Sequence, residues 1–382
     1  MGKEHKQQLT SRQQNTLIPD DVIEDILLNL PVKSLLRFKS VCKSWCSLFS
    51  KPGFARANFN KRRCNNHDSP ILRHCYTQPE VAETIDLDHK AEPKKLDWPF
   101  RLSEFAFSYR FYSCTDGIFS MCWFDGNTIS MFLWNPRINK YKTLPTPENF
   151  EKQVEYIGFG YDSSIDDYKV VRVAWPNPIS PAPEFRMQVL NVKSNVWRTV
   201  HRGAPYAVDI ITIDSFSLDF APIKLVHVDG ALYFVAKKTT TDSTQISVIL
   251  RFDLAEESLR EVSMPPSVTG DVCDLPLFLE VLGGSLHLCA GMNLWVMKEE
   301  SCWVKVLEFN GIVEKLRRPL CLMRPLCFTE AGALILLDFI TRDFHVYDTH
   351  HNTVRKLEVG GDKSFDEVIL YSDTLISPSD DH

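Results

Sequence analysis

The chain has 382 residues, of which 44% are apolar and 24% are charged, and its formal net charge is −6. This composition is typical of a folded soluble protein, and no apolar run approaches the ~18 residues that a membrane-spanning helix requires. The first fifteen residues, MGKEHKQQLTSRQQN, lack the apolar core of a secretory signal, so we expect a protein that is neither secreted nor membrane-spanning.

Helices are the first predicted elements, over residues 17–60, after a polar tail (1–16) that we expect to be disordered. Pro19 suits the first position of a helix, and the acids that follow it favour a helix start. Apolar residues then recur at helical spacing as far as Leu30, where the Leu30-Pro31 step ends the helix. A second apolar pattern runs from Val32 to Phe49 and predicts two further short helices. The unit is therefore expected to be a small three-helix domain.

This helical unit has more apolar residues than so short a segment can bury internally. Part of its surface should therefore contact something else. Two possibilities remain open from the residues alone: a partner protein, or the C-terminal body of the same chain.

The order of residues in the unit resembles the F-box. The similarity lies in Ile18-Pro19-Asp20-Asp21, Leu30-Pro31, Val32-Lys33-Ser34-Leu35 and Val41-Cys42-Lys43-x-Trp45. The resemblance implies that the helices bind a Skp-type adaptor and, through it, a cullin. It assigns adaptor binding to Ile18, Pro19, Val22, Ile26, Leu27, Leu30, Pro31, Leu35, Leu36, Val41, Cys42 and Trp45.

Charge is distributed unevenly along the chain. Residues 1–66 contain 12 basic and 5 acidic residues, a net +7, which leaves 31 basic and 44 acidic residues, a net −13, for the remainder. The basic residues between Lys33 and Arg63 either form a solvated face or steer an acidic partner. Nucleic acid is not an expected partner, because the large domain is acidic and the basic cluster lacks interleaved aromatic residues.

Short strands and tight turns dominate the sequence after the helices. We describe residues 61–110 as a connector with the first strands, 111–377 as a β domain and 378–382 as a tail. Pairs of turn-forming residues separate the strands. These pairs are Asp116-Gly117, Asp125-Gly126, Asp229-Gly230, Gly283-Gly284, Asn310-Gly311 and Gly360-Gly361.

Five segments of the β domain align without gaps, each as a strand, a polar turn and a returning strand. The turn opens at Asn135, Asn191, Asp253, Met297 and Asp348, and six residues later stand Tyr141, Trp197, Leu259, Trp303 and Val354. The openings are 56, 62, 44 and 51 residues apart, which is near the ~40–50 residues of a propeller blade with variable loops.

A unit of about four short strands cannot bury both of its faces, so the units must stack on one another. Five aligned units, with a sixth assembled from the early strands and the C-terminal segment FDEVILYSDTLIS, predict a six-bladed β-propeller closed by a C-terminal strand. The alternative is a β-sandwich, which would also offer similar hairpins.

LWNPRINKYKTLP and YIGFGYDSSIDDYKVVRV are similar to the F-box-associated domain (type 1) of plant F-box proteins, a relative of the kelch type. Together the two resemblances imply the substrate receptor of an SCF-type ubiquitin ligase, a non-catalytic chain that joins an unidentified target to the adaptor. Such a protein is expected in the cytoplasm, the nucleus or both, in agreement with eleven scattered cysteines. An F-box module without a role in degradation remains an alternative.

No motif for catalysis, a metal or another cofactor is recognisable, so none is expected. His350-His351 near Asp348 and the pair Asp166-Asp167 are each interpreted as parts of turns. A carbohydrate-binding receptor would use exposed aromatic residues such as Trp175 or Tyr206. An enzyme remains the last alternative, although no residue set can be assigned to it.

Overall fold

The computed structural model describes residues 18–63, 70–75, 78–85, 93–98, 108–124, 129–147, 155–174, 185–203, 206–207, 225–242, 244–268, 277–309, 323–329, 331–338, 340–360, 365 and 367–379. Over these residues the chain forms helices first and antiparallel sheets afterwards.

Within residues 18–63 the structure has four helices, not the three that the sequence predicts: α1 (Asp20–Leu28), α2 (Val32–Phe38), α3 (Lys43–Leu48) and α4 (Pro52–Arg63). The additional helix begins at a Pro-Gly pair, which usually indicates a turn. Proline at the first helical position nevertheless starts a helix readily, because the N–H that it lacks would have no partner there. The expected end of the helical domain at residue 60 therefore lies inside α4.

The strands form six sheets among the described residues, and we number these sheets as blades in chain order. Blade 1 contains β1 (Ile71–Cys75), β2 (Gln78–Ile85) and β3 (Lys94–Lys95). Blade 2 contains β4 (Ser108–Thr115), β5 (Ile118–Phe124), β6 (Ile129–Asn135) and β7 (Lys140–Leu144). Blade 3 contains β8 (Glu155–Asp162), β9 (Asp167–Ala174), β10 (Arg186–Asn191) and β11 (Val196–Arg202).

The second half of the ring is built in the same way. Blade 4 contains β12 (Tyr206–Ala207), β13 (Val226–Val228), β14 (Ala231–Thr239), β15 (Gln245–Asp253) and β16 (Leu259–Val262). Blade 5 contains β17 (Leu277–Leu282), β18 (Ser285–Ala290), β19 (Asn293–Glu299) and β20 (Cys302–Glu308). Blade 6 contains β21 (Met323–Phe328), β22 (Leu334–Asp338), β23 (Phe344–Asp348) and β24 (Thr353–Leu357). The last strand, β25 (Glu367–Leu370), pairs antiparallel with β1, with Ile71 opposite Leu370 and His74 opposite Glu367.

The first strands of successive blades lie next to one another around a common axis: β4 beside β8, β8 beside β13, β13 beside β17 and β17 beside β21. Middle strands such as β9 and β22 are buried almost throughout, whereas last strands such as β7 and β11 are mostly exposed. Burial is therefore high in the middle of a blade and low in its last strand, which agrees with sheets that are arranged radially and pack face to face. The six-bladed β-propeller is confirmed, and the sandwich alternative is wrong.

Two-residue turns occur where the sequence predicts them. Asp116-Gly117 and Gly283-Gly284 join the first two strands of blades 2 and 5, and Asp229-Gly230 joins β13 to β14 in blade 4. Both residues of each pair have positive φ. Glycine and aspartate tolerate this conformation, which matches the twist of a hairpin. The pairs at 125–126 and 310–311 and the glycine at 361 lie outside the described residues.

The five aligned segments are the hairpins that close blades 2 to 6. The side chains of Asp253 and Asp348 each accept hydrogen bonds from two backbone N–H groups inside their own turns, which explains an acidic or amide residue at the opening. Met297 departs from this pattern because its hairpin is shorter: Met297 pairs directly with Trp303, and Glu299 pairs with Cys302.

Two glycines on β8 are explained by the packing of blade 3 on blade 4. A Cβ on Gly158 would lie 2.7 Å from atoms of Leu225 and Leu232, and one on Gly160 would lie 2.5 Å from the ring of His227. Blades 3 and 4 approach so closely that only a residue without a side chain fits at these positions.

Candidate functional site

The surface of α1 carries apolar side chains that the described part of the chain leaves uncovered. Val22 and Ile26 lie one helical turn apart and are 43% and 52% exposed, and Ile18, just before the helix, is 56% exposed. Exposed apolar residues are ordinary when they are scattered singly, but a group of three on one short segment indicates a contact surface. We call Ile18, Val22 and Ile26 the α1 row.

The other side of the helices is buried in the chain itself. Leu27, Leu35 and Phe54 belong to an apolar cluster that continues into blades 2 and 3 and includes Ile118 and Leu190. The second possibility left open by the sequence, contact with the C-terminal body of the same chain, therefore applies to this side of the helices. One face of the helical unit docks on the propeller, and the α1 row on another face remains exposed.

The twelve residues expected to bind the adaptor fall into three groups. The exposed group contains Ile18, Pro19, Val22, Ile26, Pro31, Val41 and Cys42. The half-buried group contains Leu30, Leu36 and Trp45, which pack against the apolar cluster. Leu27 and Leu35 are 2% and 0% exposed, so their assignment to direct contact is corrected: they support the surface from beneath.

A buried asparagine on α4, which sequence reasoning missed, holds the helical unit together. Nδ2 of Asn58 donates to the backbone oxygens of Leu28 and Leu30 at 2.9 and 3.1 Å. These carbonyls end α1, where intrahelical partners are missing. The polar residue amid the apolar positions of α4 could have indicated such a role, had the helix itself been predicted.

The helical unit carries charged side chains of both signs. Asp20 and Asp21 form the acidic first turn of α1, while Lys33 on α2 and Lys43 on α3 are exposed. Asp25 pairs with Lys61 of α4 at 3.1 Å. Exposed charges of both signs therefore occur on α1, α2 and α3.

Comparison with known protein families agrees with both parts of this architecture. A model of the F-box domain matches residues 16–56, and a model of the F-box associated beta propeller domain matches residues 86–377. The chain belongs to the F-box associated β-propeller family. Its F-box thus comprises the helices that carry the α1 row.

Similar F-box associated proteins occur in Arabidopsis thaliana. An F-box/kelch-repeat protein of that plant is 24% identical over 95% of this chain and 96% of its own length. The F-box protein CPR1 is 23% identical over 90% of this chain and 84% of its own. Among solved structures, a chain in a nidogen/laminin complex is similar over 79% of this chain and 96% of that chain, with 11% identity and a TM-score of 0.42.

The other sites considered from the sequence of this F-box associated protein are parts of its folded framework or lie outside the described residues. Oη of Tyr206 donates to Glu261 at 2.9 Å, and burial together with this bond raises the pKa of Tyr206 to about 12. Asp167 accepts hydrogen bonds from the backbone of Tyr168 and Lys193. Trp175 lies outside the described residues.

The histidine pair of blade 6 lies in an exposed turn. Nδ1 of His351 is 2.9 Å from Oδ2 of Asp348, and hydrogen bonds from His351 lower the pKa of Asp348 to about 2.

Within the described ranges no group of three or more His, Cys, Asp or Glu residues is placed to hold a metal ion. None of the described helices has the length and apolar character needed to cross a membrane.

Proposed function

We propose that this chain is the substrate-recognition subunit of an SCF-type ubiquitin ligase. The α1 row and its neighbours would bind the Skp-type adaptor and, through it, the cullin, while the propeller would hold the target protein. The observation that carries the proposal is the exposure of Val22 and Ile26 on an F-box helix whose opposite side is already buried against the propeller. This leaves a preformed apolar surface that lacks a cover within the described residues.

The mechanism that follows is proximity. By holding a target beside a ubiquitin-conjugating enzyme, the receptor raises the effective concentration of target lysines without taking part in covalent chemistry.

The strand topology favours one face of the propeller for the target. Strand β4 of blade 2 ends at Thr115, next to Asp116, and β8 of blade 3 ends at Asp162, next to Tyr161. Arg56 of the F-box contacts Asp116 and Tyr161, so these strand ends lie on the face that contacts the F-box. The connections on that face are short turns such as 229–230. Other successive strands are farther apart in the sequence: β12 ends at Ala207 and β13 begins at Val226, and β20 ends at Glu308 and β21 begins at Met323. Because long loops on a rigid scaffold usually carry recognition, we assign the target to the face away from the F-box.

Binding to the adaptor tests the proposal. Val22→Ser and Ile26→Ser together should weaken the adaptor complex at least 100-fold, because apolar anchors in a desolvated centre cost about 2–4 kcal/mol each when they are truncated. The measurement is calorimetric titration of the full chain with a purified Skp-type adaptor.

The matched control is Val304→Ser with Val306→Ser on β20, since both valines are 46% exposed but far from the F-box in sequence. We expect this control to bind like the wild type and both double variants to keep the wild-type melting temperature. Equal affinity in the wild type and the α1 variant would contradict the assignment. A reconstituted ligase that binds the chain but ubiquitinates nothing would instead support an F-box module without a role in degradation.

Three finer expectations belong to the same proposal. The pairing of β25 with β1 supports closure of the ring by the C-terminal strand, since it joins the two ends of the propeller in one blade. The kelch relationship of the type 1 domain is supported by the name of the F-box/kelch-repeat relative. The cytoplasm or nucleus is the expected location, because ubiquitin ligases of this type act there.

A further inference from the structure

Arg56, on the inner side of α4, contacts two blades of the propeller at once. Its Nη1 donates to Oδ2 of Asp116 on the β4–β5 turn, and its Nη2 donates to Oη of Tyr168 on β9 at 2.7 Å. The centre of the guanidinium lies 3.8 Å from the ring centroid of Tyr161 on β8. One planar group is thus held in three directions, by a carboxylate, a phenol and an aromatic face.

The partners of Arg56 are themselves fixed in place. Oη of Tyr168 donates to Oδ2 of Asp116 at 2.8 Å, and burial, followed by the charge of Asp116, raises the pKa of Tyr168 well above its ordinary value. Tyr168 therefore stays neutral and keeps its proton for this bond. The backbone oxygen of Asp116 accepts a hydrogen bond from Oγ1 of Thr374 at 2.8 Å, so the C-terminal segment holds the turn from its other side.

An apolar cluster also joins the F-box to the propeller among the described residues. Phe54 and Ala55 of α4 lie in the same cluster as Tyr112 and Ile376 of the propeller. Apolar burial favours association but does not specify direction, whereas an arginine fork with fixed partners does. The cluster therefore keeps the two parts together, and the Arg56 contacts decide the angle between them.

We propose that Arg56 is the positioning residue that fixes the direction in which the propeller is held relative to the F-box. The consequence of this inference for ligase activity rests on the proposed function. A receptor with a fixed angle between its F-box and its propeller would present only a limited zone of the target to the conjugating enzyme. The angle itself is a property of the chain alone and can be measured without any partner.

The first experiment measures the distance between nitroxide labels at Lys43 on α3 and Glu299 on blade 5, both of which are exposed. The labels are attached through a non-canonical amino acid, because Cys42, Cys46 and Cys302 are exposed and would react with thiol reagents. We expect one narrow distance distribution for the wild type and a distribution at least twice as wide for Arg56→Ala. An unchanged width in Arg56→Ala would overturn the proposal.

Two further variants test whether the angle depends on the hydrogen-bond geometry of Arg56, and not only on its positive charge or on the folding of the chain. Arg56→Lys keeps the charge but loses the planar fork, so its distribution should be wide, and a wild-type width would overturn the proposal. Asp116→Asn suits the positive φ of this position and retains the shape of the turn, and it should also widen the distribution. Arg260→Ala is the matched control, because Arg260 pairs with Glu300 between blades at 2.8 Å in an exposed site, and it should leave the width unchanged.

The second experiment connects the angle to ligase activity and uses the lysines of the chain itself as the probe. In a reconstituted ligase, the self-ubiquitinated lysines are mapped by mass spectrometry. Arg56→Ala should modify at least twice as many positions as the wild type, with equal affinity for the adaptor, and an identical set of positions would overturn the proposed consequence. If the wild type fails to bind the adaptor, the proposed function is wrong, whereas the distance measurement still decides the role of Arg56.

Discussion

Asn135 and Thr374, 239 residues apart in the sequence, are hydrogen-bonded in the interior of the protein. Nδ2 of Asn135 lies 3.1 Å from Oγ1 of Thr374, and it reaches the backbone oxygens of Thr374 and Ile376 at 3.2 and 2.8 Å. Oδ1 of the same residue accepts a hydrogen bond from the N–H of Arg137 inside its own turn. One amide therefore shapes the β6–β7 hairpin and also fastens the C-terminal segment to blade 2.

Replacing Asn135 with Ala should lower the free energy of unfolding by about 2–3 kcal/mol, because buried carbonyl groups lose their donor. The equivalent residue of blade 3 provides a matched control. Asn191 is only half-buried, and its side chain contacts the exposed Arg198. Asn191→Ala should therefore lower the free energy of unfolding by less than about 1 kcal/mol. Urea denaturation of both variants measures the difference. An equal loss of unfolding free energy in the two variants would show that the hydrogen bonds from Asn135 to the C-terminal segment contribute little to stability.

The C-terminal segment should be needed for the propeller as a whole. Deleting residues 364–382 removes β25 together with Leu375 and Ile376, and exposes an edge of β1 as well as the apolar cluster below the F-box. We expect a lower melting temperature and aggregation, since unpaired edges associate readily. Deleting only residues 379–382 should leave both unchanged. A fully soluble chain ending at residue 363 with wild-type melting would contradict closure of the ring by this segment.

Gly160 should not tolerate a side chain. A methyl group there would meet the ring of His227 and the side chain of Leu254 at 2.5 and 2.6 Å, so Gly160→Ala should destabilise the protein by about 1–3 kcal/mol through overpacking. Gly53 is the matched control, because a Cβ at that helical position has nothing within 4 Å. Gly53→Ala should leave the melting temperature unchanged or raise it. Differential scanning calorimetry measures both variants, and equal melting of the two would refute the packing argument.

Lys39 and Lys43 should accelerate the encounter with an acidic adaptor. Reversing both to Glu is expected to lower the association rate and to weaken its dependence on salt, with a smaller effect on dissociation, because charges at the rim of an interface act mainly on the encounter. Surface plasmon resonance at several salt concentrations gives both rates. A change confined to the dissociation rate would mean that the lysines make buried contacts.

Glu257 should contribute to the loss of stability in acid. It lies 2.9 Å from Nζ of the buried Lys169 and also pairs with Arg198. Burial acts to raise its pKa, but the hydrogen bonds from Arg198 and Lys169 outweigh it, so that the pKa lies below the ordinary 4.5. A carboxylate whose pKa is lowered on folding stabilises the protein above its ordinary pKa, and this contribution is lost as the pH falls through the lowered value.

The melting temperature of the wild type should therefore fall as the pH decreases below 4.5. The melting temperature of Glu257→Gln should be lower than that of the wild type above this pH and should fall less steeply below it. Glu299→Gln, at an exposed position of β19, should follow the wild-type curve. Parallel curves for the wild type and Glu257→Gln would show that Glu257 titrates alike in the folded and unfolded chain.

The sequence alone determined the F-box, the propeller and the hairpin at the end of each of five blades. These features follow from local rules. Pro19 and the Leu30-Pro31 step delimit a helix through backbone sterics, and Asp253 and Asp348 open their turns by bonding to neighbouring N–H groups. The sequence also placed Val22 and Ile26 among the apolar residues that recur at helical spacing, although it did not predict which residues of this pattern would be exposed.

The tertiary structure alone decided which side of each helix is covered. Leu27 follows Ile26 in the sequence and is equally apolar, yet it is 2% exposed while Ile26 is 52% exposed, because α4 and the propeller occupy one side only. Periodicity defines an apolar face but not what lies against it. For the same reason the partners of Arg56 could not be predicted, since Asp116 and Tyr168 are 60 and 112 residues away and only the tertiary structure brings them to one guanidinium.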